Sequence, residues 1–138
     1  IQSAYKKAPN FDFVFSKLSE IYNREYDLLI KFNMDLLMLC SKMLGINTPL
    51  AFASDFKIKS NGSQRLVDLV QSVGGKEYLT GIGSRDYLDE ELFKKEGIDV
   101  FWQEFEHPVY KQLHGGFEKM LSVLDFLMMR SNSNISVA

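Results

Sequence analysis

A single cysteine, Cys40, leaves no partner for an internal disulfide, so a reducing compartment is expected. Cys40 sits inside the apolar run "DLLMLCSKML", where a small core residue is a better reading than a nucleophile. A basic excess is also missing, since 16 Lys and Arg face 18 Asp and Glu. Nucleic acid and anionic membrane surfaces both demand positive charge, so neither is an expected partner. No apolar run approaches the roughly 18 residues of a membrane helix, and no signal-peptide pattern is visible, so membrane insertion is not expected.

What is present is ordinary globular composition, 46% apolar and 25% charged over 138 residues. One domain is expected, able to bury roughly two-thirds of its unfolded surface. The chain opens on Ile1, not methionine, in a stretch that already reads as mid-structure, and an upstream portion is expected.

The first 45 residues read as helical. "PNFDFVFSKLSEIY" places Phe11, Val14, Phe15, Leu18, Ile21 and Tyr22 on an amphipathic stripe, with Asn10 or Asp12 as the cap. A second helix is predicted from about Asp27 to Leu44, stopped by Gly45. It is apolar nearly all round, so additional chain or a second subunit is expected to cover it, and a homo-oligomer is one such arrangement. After Pro49 the pattern becomes strand ("LAFAS", 50–54), helix ("SQRLVDLVQSVGG"), strand ("KEYLTG"), broken helix ("SRDYLDEELFKKEG") and strand ("IDVFWQEF"). That order predicts an α/β fold: a helical amino-terminal segment, then βαβαβ with a mostly parallel sheet and right-handed crossovers. A closing helix, "FEKMLSVLDFLMM", and a loose polar tail, "RSNSN", complete the chain.

Ligands of open parallel sheets bind beyond the carboxyl ends of the strands. Each predicted strand here ends in polar residues: Ser54-Asp55, then Thr80 to Tyr87, then Gln103, Glu104, Glu106 and His107. "GIGSRD" begins like a dinucleotide loop but has Asp86 where the third glycine belongs, and Asp89, Glu90 and Glu91 would repel phosphate from the next helix. A glycine turn with Asp89 as helix cap fits better. Arg85 can still grip a phosphate or carboxylate as a bidentate donor.

The two histidines, His107 and His114, are seven apart in "EFEHPVYKQLHGGF" and match no familiar zinc spacing. Ser84, His107 and Asp86 can be combined on paper into a triad, but "GIGSR" is not the G-x-S-x-G elbow. His107 acting as a general base is the more credible chemistry, against the plain alternative of a polar loop histidine.

Residues 78–127, above all Tyr78-Leu79-x-Gly81, Arg85-Asp86-Tyr87-Leu88, Tyr110-x-Gln112 and Leu121-Ser122-Val123-Leu124-Asp125, closely resemble the WbqC-like protein family of bacteria. "AYKKAPNF" and "QRLVDLVQSVGGKEYLTG" resemble the family's preceding segments. Members are typically longer at the amino end, where they carry a "QPNYLPW"-like motif that this sequence lacks. Lys111 stands where proline is common, and the tail after Met129 lacks the usual glycine.

The resemblance implies the carboxyl-terminal portion of a longer protein. It also implies a cytoplasmic role in surface-polysaccharide (O-antigen) biosynthesis, as acyl or amino-acyl transfer to a sugar nucleotide. It further implies that the loop residues of the site are Tyr110 and Gln112 rather than His114. The expected site therefore has His107 as proton carrier. Gly81, Arg85, Asp86, Tyr87, Gln103, Tyr110 and Gln112 would surround a small anionic substrate such as a sugar nucleotide. No metal is expected, and the residues specify no cofactor. Two alternatives stand beside this: a nucleotide-binding or nucleotidyltransferase-like protein, and a non-catalytic interaction module.

Overall fold

A computed structural model describes residues 1–130; the rest of the tail beginning at Arg130, expected to be loose, lies outside the described residues. In chain order the elements are α1 (Gln2–Tyr5), α2 (Phe11–Tyr22), α3 (Leu29–Leu44), α4 (Gly62–Ser72), β1 (Glu77–Gly81), α5 (Glu90–Lys95), β2 (Asp99–Gln103) and α6 (Val123–Met129). Short 3-10 turns cover Ala53–Phe56 and Ile82–Ser84. The fold is mixed α/β, and the chain forms two compact units. Unit 1 joins Ile1–Thr48 to the chain from His107 onward; unit 2 is Pro49–Glu106.

Unit 1 is built on the α2 stripe, as its periodicity predicts. Phe11, Val14, Leu18 and Ile21 recur at helical spacing and are the buried residues of α2. Ala8, Phe11, Val14 and Leu18 pack with Leu127 and Met128 of α6, and Leu36, Leu39, Cys40 and Met43 of α3 close over them. Cys40 is half-buried, and burial alone raises its thiol pKa, which suits the core role. Gly45 ends α3 at φ 75°, where its missing Cβ relieves a left-handed backbone, and Ile46 N–H closes the turn on Ser41 C=O.

Asn10 does not cap α2 through its side chain. Its backbone N–H donates to Met128 C=O and its Nδ2 to Leu127 C=O at 3.0 Å, so it ties the start of α2 to α6. A long-range bond to otherwise exposed helix-end carbonyls outcompetes the local cap.

Unit 2 contains the parallel pair. β1 and β2 run parallel in register from Glu77↔Asp99 to Gly81↔Gln103, joined through α5. One face of the pair packs Tyr78, Val100 and Trp102 against Val67, Val70, Leu88, Phe93 and Ile98. On the other face the register partners Leu79 and Phe101 are exposed. Asp89 caps α5 by accepting Leu92 N–H at 3.1 Å, as the glycine-turn reading expects.

Two expected elements are corrected. Residues 50–54 are not a strand; the backbone is irregular and then turns as 3-10 helix at Ala53–Phe56, so the sheet has two strands. "LAFAS" is a short apolar run of strand length, but a strand exists only through a paired neighbour. The closing helix begins at Val123, not Phe117. Gln112 explains this: its Oε1 accepts Glu118 N–H at 2.8 Å and its Nε2 donates to Glu118 C=O at 3.0 Å. The Glu118 C=O, which a helix from Phe117 would offer to the N–H of residue 122, is thereby engaged from outside the segment. Met120 then sits at φ 63°, and Ser122 Oγ caps α6 by accepting Leu124 N–H.

Candidate functional site

In unit 2 the carboxyl ends of the two strands meet. Gly81 and Gln103 are the last register pair, and both are exposed. β1 passes into the Ile82–Ser84 turn, where Ser84 Oγ lies 2.7 Å from Thr80 Oγ1 and donates to Gly81 C=O at 2.9 Å. Neither Gly81 nor Gly83 adopts positive φ, and a Cβ on either would meet nothing within 4 Å. Side-chain hydroxyls thus shape this turn, and no glycine-only backbone is involved.

The turn delivers Arg85. Its guanidinium lies over the Trp102 ring, 5.2 Å from the centroid. Such contact is worth about 0.5–1 kcal/mol at an exposed site. Among the described residues the ion pairs are Lys17–Glu20, Arg24–Asp35 and Lys31–Asp27, so Arg85 has no carboxylate partner. The Arg85 donor fork thus stands on the connection that leaves β1, with no ion pair among the described residues. Asp86 and Tyr87 follow on the same connection, both exposed. Five expected residues therefore lie in unit 2: Gly81, Arg85 and Gln103 at the strand ends, Asp86 and Tyr87 next to them.

The other three, His107, Tyr110 and Gln112, lie in unit 1, where the structure brings them together. Tyr110 is the hub. Its ring is near-parallel to His107 (centroids 6.2 Å apart, 28°) and meets Phe117 and Phe126 edge-on at 5.6 and 5.3 Å. Its hydroxyl donates to Asp125 Oδ2 at 2.7 Å, and Gln112 Nε2 donates to the same oxygen at 3.1 Å. Tyr5 hydrogen-bonds that carboxylate as well. His107 Nδ1 lies 3.1 Å from Pro108 C=O, and Phe117 meets its ring edge at 5.8 Å.

Asp125 is 5% exposed, and all its donors named here are neutral. A buried carboxylate needs such bonds, because an unsatisfied one loses its hydration without return. Asp125 and Tyr5 are the members that sequence reading missed. One signal was available: Asp125 is a lone acid in the apolar stretch "SVLDFLMM". Among the described residues no three His, Cys, Asp or Glu side chains converge to hold a metal ion.

The network carries a pH dependence. Burial, then the hydrogen bond to Asp125 and its negative charge, push Tyr5 up to about 12. Tyr110 is raised by burial first and by Asp125 second. A folded-state pKa above the unfolded value near 10 means that the native protein holds its proton longer. That stability is complete below pH about 10 and is lost as pH rises toward about 12. Denaturant unfolding is expected to show stability falling across that window, and Tyr5→Phe to flatten the fall. An unchanged slope in the variant would disprove the assignment.

Comparison with known proteins follows the same chain. The model of a family described as "WbqC-like protein family" matches residues 1–137. The uncharacterized protein Rv1507c of Mycobacterium tuberculosis is 36% identical over 125 residues, covering 89% of this chain and 54% of the relative. The chain thus spans about half the length of that curated relative. No solved structure matches it.

Proposed function

The chain belongs to the WbqC-like protein family, and from that premise we propose that it is the carboxyl-terminal portion of an enzyme of surface-polysaccharide synthesis that binds a sugar nucleotide. The reaction is transfer of an acyl or amino-acyl group to the sugar. The supporting observation is Arg85. A guanidinium 5.2 Å over the Trp102 ring, on the connection leaving the strand carboxyl end and without a carboxylate partner among the described residues, suits the phosphates of such a ligand. Gly81 and Gln103 supply backbone and amide groups beside it, while Asp86 and Tyr87 offer contacts to the rest of the ligand. In unit 1 the reading gives His107 the proton-carrying role. Tyr110 and Gln112, pinned to Asp125, hold the loop that bears it.

The test is calorimetric titration with a nucleoside diphosphate sugar. Arg85→Ala is expected to weaken binding by about 1.5–3 kcal/mol, the cost of losing a charged hydrogen-bond donor. Arg85→Lys keeps the charge but not the fork, and should recover only part of it. Unchanged affinity in both variants would remove Arg85 from the site.

A further inference from the structure

We propose that Asn61-Gly62, at the start of α4, is a site of spontaneous covalent modification, where the Gly62 backbone nitrogen attacks the Asn61 carboxamide and converts it to aspartate and isoaspartate. This is the one Asn-Gly pair in the sequence. Any side chain on the attacking residue would crowd the approach, and Gly62 stands clear: a Cβ there would meet nothing within 4 Å. Its φ of 56° is a conformation that other residues reach only at a cost. As the first residue of α4, it carries one of the N–H groups that a helix leaves without an internal acceptor.

The carboxamide beside it is equally open. Asn61 is exposed, lies outside the helix at φ −125° and ψ 170°, and makes no capping hydrogen bond through its side chain. The bond that ties its backbone to α4, from Arg65 N–H to Asn61 C=O, is long at 3.3 Å. Its neighbours are better held: Ser60 Oγ donates to Asp68 Oδ2, and Arg65 Nη1 to Ile58 C=O at 3.0 Å. Asn47 is exposed too, but the β-branched Thr48 follows it, and its Nδ2 donates to Gly45 C=O at 3.4 Å.

The reaction needs only water and solvent base. Base removes the Gly62 amide proton, and the nitrogen bonds to Asn61 Cγ. The Cγ–Nδ2 bond breaks, and ammonia leaves with a proton returned by solvent. Water then opens the resulting succinimide at either carbonyl, and nothing is oxidised or reduced. The negative charge that develops, and the carboxylate that remains, lie at the positive end of the α4 dipole. Aspartate keeps the backbone intact and is a good N-cap. Isoaspartate instead routes the backbone through the side chain and lengthens it by a methylene. That change falls just ahead of Ser63, whose Oγ accepts Asp89 N–H at 2.9 Å and so ties α4 to the start of α5.

Incubation of the folded protein at rising pH, followed by mass mapping of tryptic peptide 60–65, tests this. Acid in place of amide is expected in that peptide, forming faster at each higher pH, and an isoaspartate methyltransferase should label it. Asn47 should stay intact over the same time. Asn61→Gln keeps an amide but does not close the succinimide ring, so the label on that peptide should vanish. The isoaspartate form should unfold at lower urea than Asn61→Asp; equal midpoints would overturn that consequence. A folded protein that keeps Asn61 intact while the urea-unfolded chain converts it overturns the proposal, since the fold would then protect the amide. So does conversion of Asn47 at the same rate, or label on the peptide that survives in Asn61→Gln.

Discussion

Phe93→Ala is expected to destabilise unit 2 by about 3–5 kcal/mol. Phe93 is completely buried, the largest such side chain of the described residues. It comes from the short helix α5, six residues long, which has little stability of its own and is held by what it buries. The ring stacks on Tyr78 of β1 with centroids 5.0 Å apart and packs among Val67, Val70, Leu88 and Ile98. It therefore joins α4, α5 and the parallel pair at one point. Deleting it removes the transfer energy of the ring and leaves a cavity that a two-stranded sheet can collapse around only in part. The chain's one tryptophan, Trp102, sits against the same cluster and reports the transition by its fluorescence. Leu79→Ala, on the exposed face of the sheet, is the control and should shift stability by no more than about 0.5 kcal/mol. A Phe93→Ala protein within about 1 kcal/mol of the parent would show that the cluster is not the core of unit 2.

The second large effect falls on unit 1. Asp125→Ala is expected to cost about 2–4 kcal/mol, because it strands donors rather than removing a bond whole. Tyr110 Oη and Gln112 Nε2 would both lose their shared acceptor in a part-buried setting. Tyr5 would lose its hydrogen bond as well. Asp125→Asn keeps one acceptor oxygen and should cost less than half as much. The diagnostic is the order of the variants in urea unfolding followed by far-ultraviolet circular dichroism. Equal losses for Ala and Asn would mean that charge matters more than bond satisfaction. No loss for either would mean that the network does not hold the loop.

These two residues mark what was and was not legible in the sequence. The helix bearing Phe93 could be read between two strands because the apolar spacing changes period there, though Phe93 itself was not singled out. The α2 stripe and the α3 helix were legible for the same reason, and the parallel crossover followed from strand, helix, strand order. Asp125 was less legible because its role depends on Tyr5 and Tyr110, remote in sequence, and only tertiary packing brings hydroxyls to a carboxylate. The helix expected over 117–122 failed for a related reason. Its local composition favours helix, but Gln112 captures both backbone groups of Glu118 from outside the segment. Residues 50–54 show the limit of strand reading, since a short apolar run says nothing of whether a neighbour is there to pair. At the strand ends, Arg85 was identified by its chemistry alone; the Trp102 ring beneath its guanidinium was not, because a contact between a turn and a neighbouring strand is invisible to spacing.

The central claim is that the carboxyl ends of β1 and β2 hold an anionic ligand through Arg85. The most direct measurement is an amide and side-chain NMR titration of the protein with a nucleoside diphosphate sugar. Saturable shifts are expected at Gly81, Arg85 to Tyr87 and Gln103, with the Arg85 Nε–H and Trp102 indole N–H signals moving together, and with no response in Arg85→Ala. Saturable binding whose shifts leave that set untouched, or no binding at all, would contradict it.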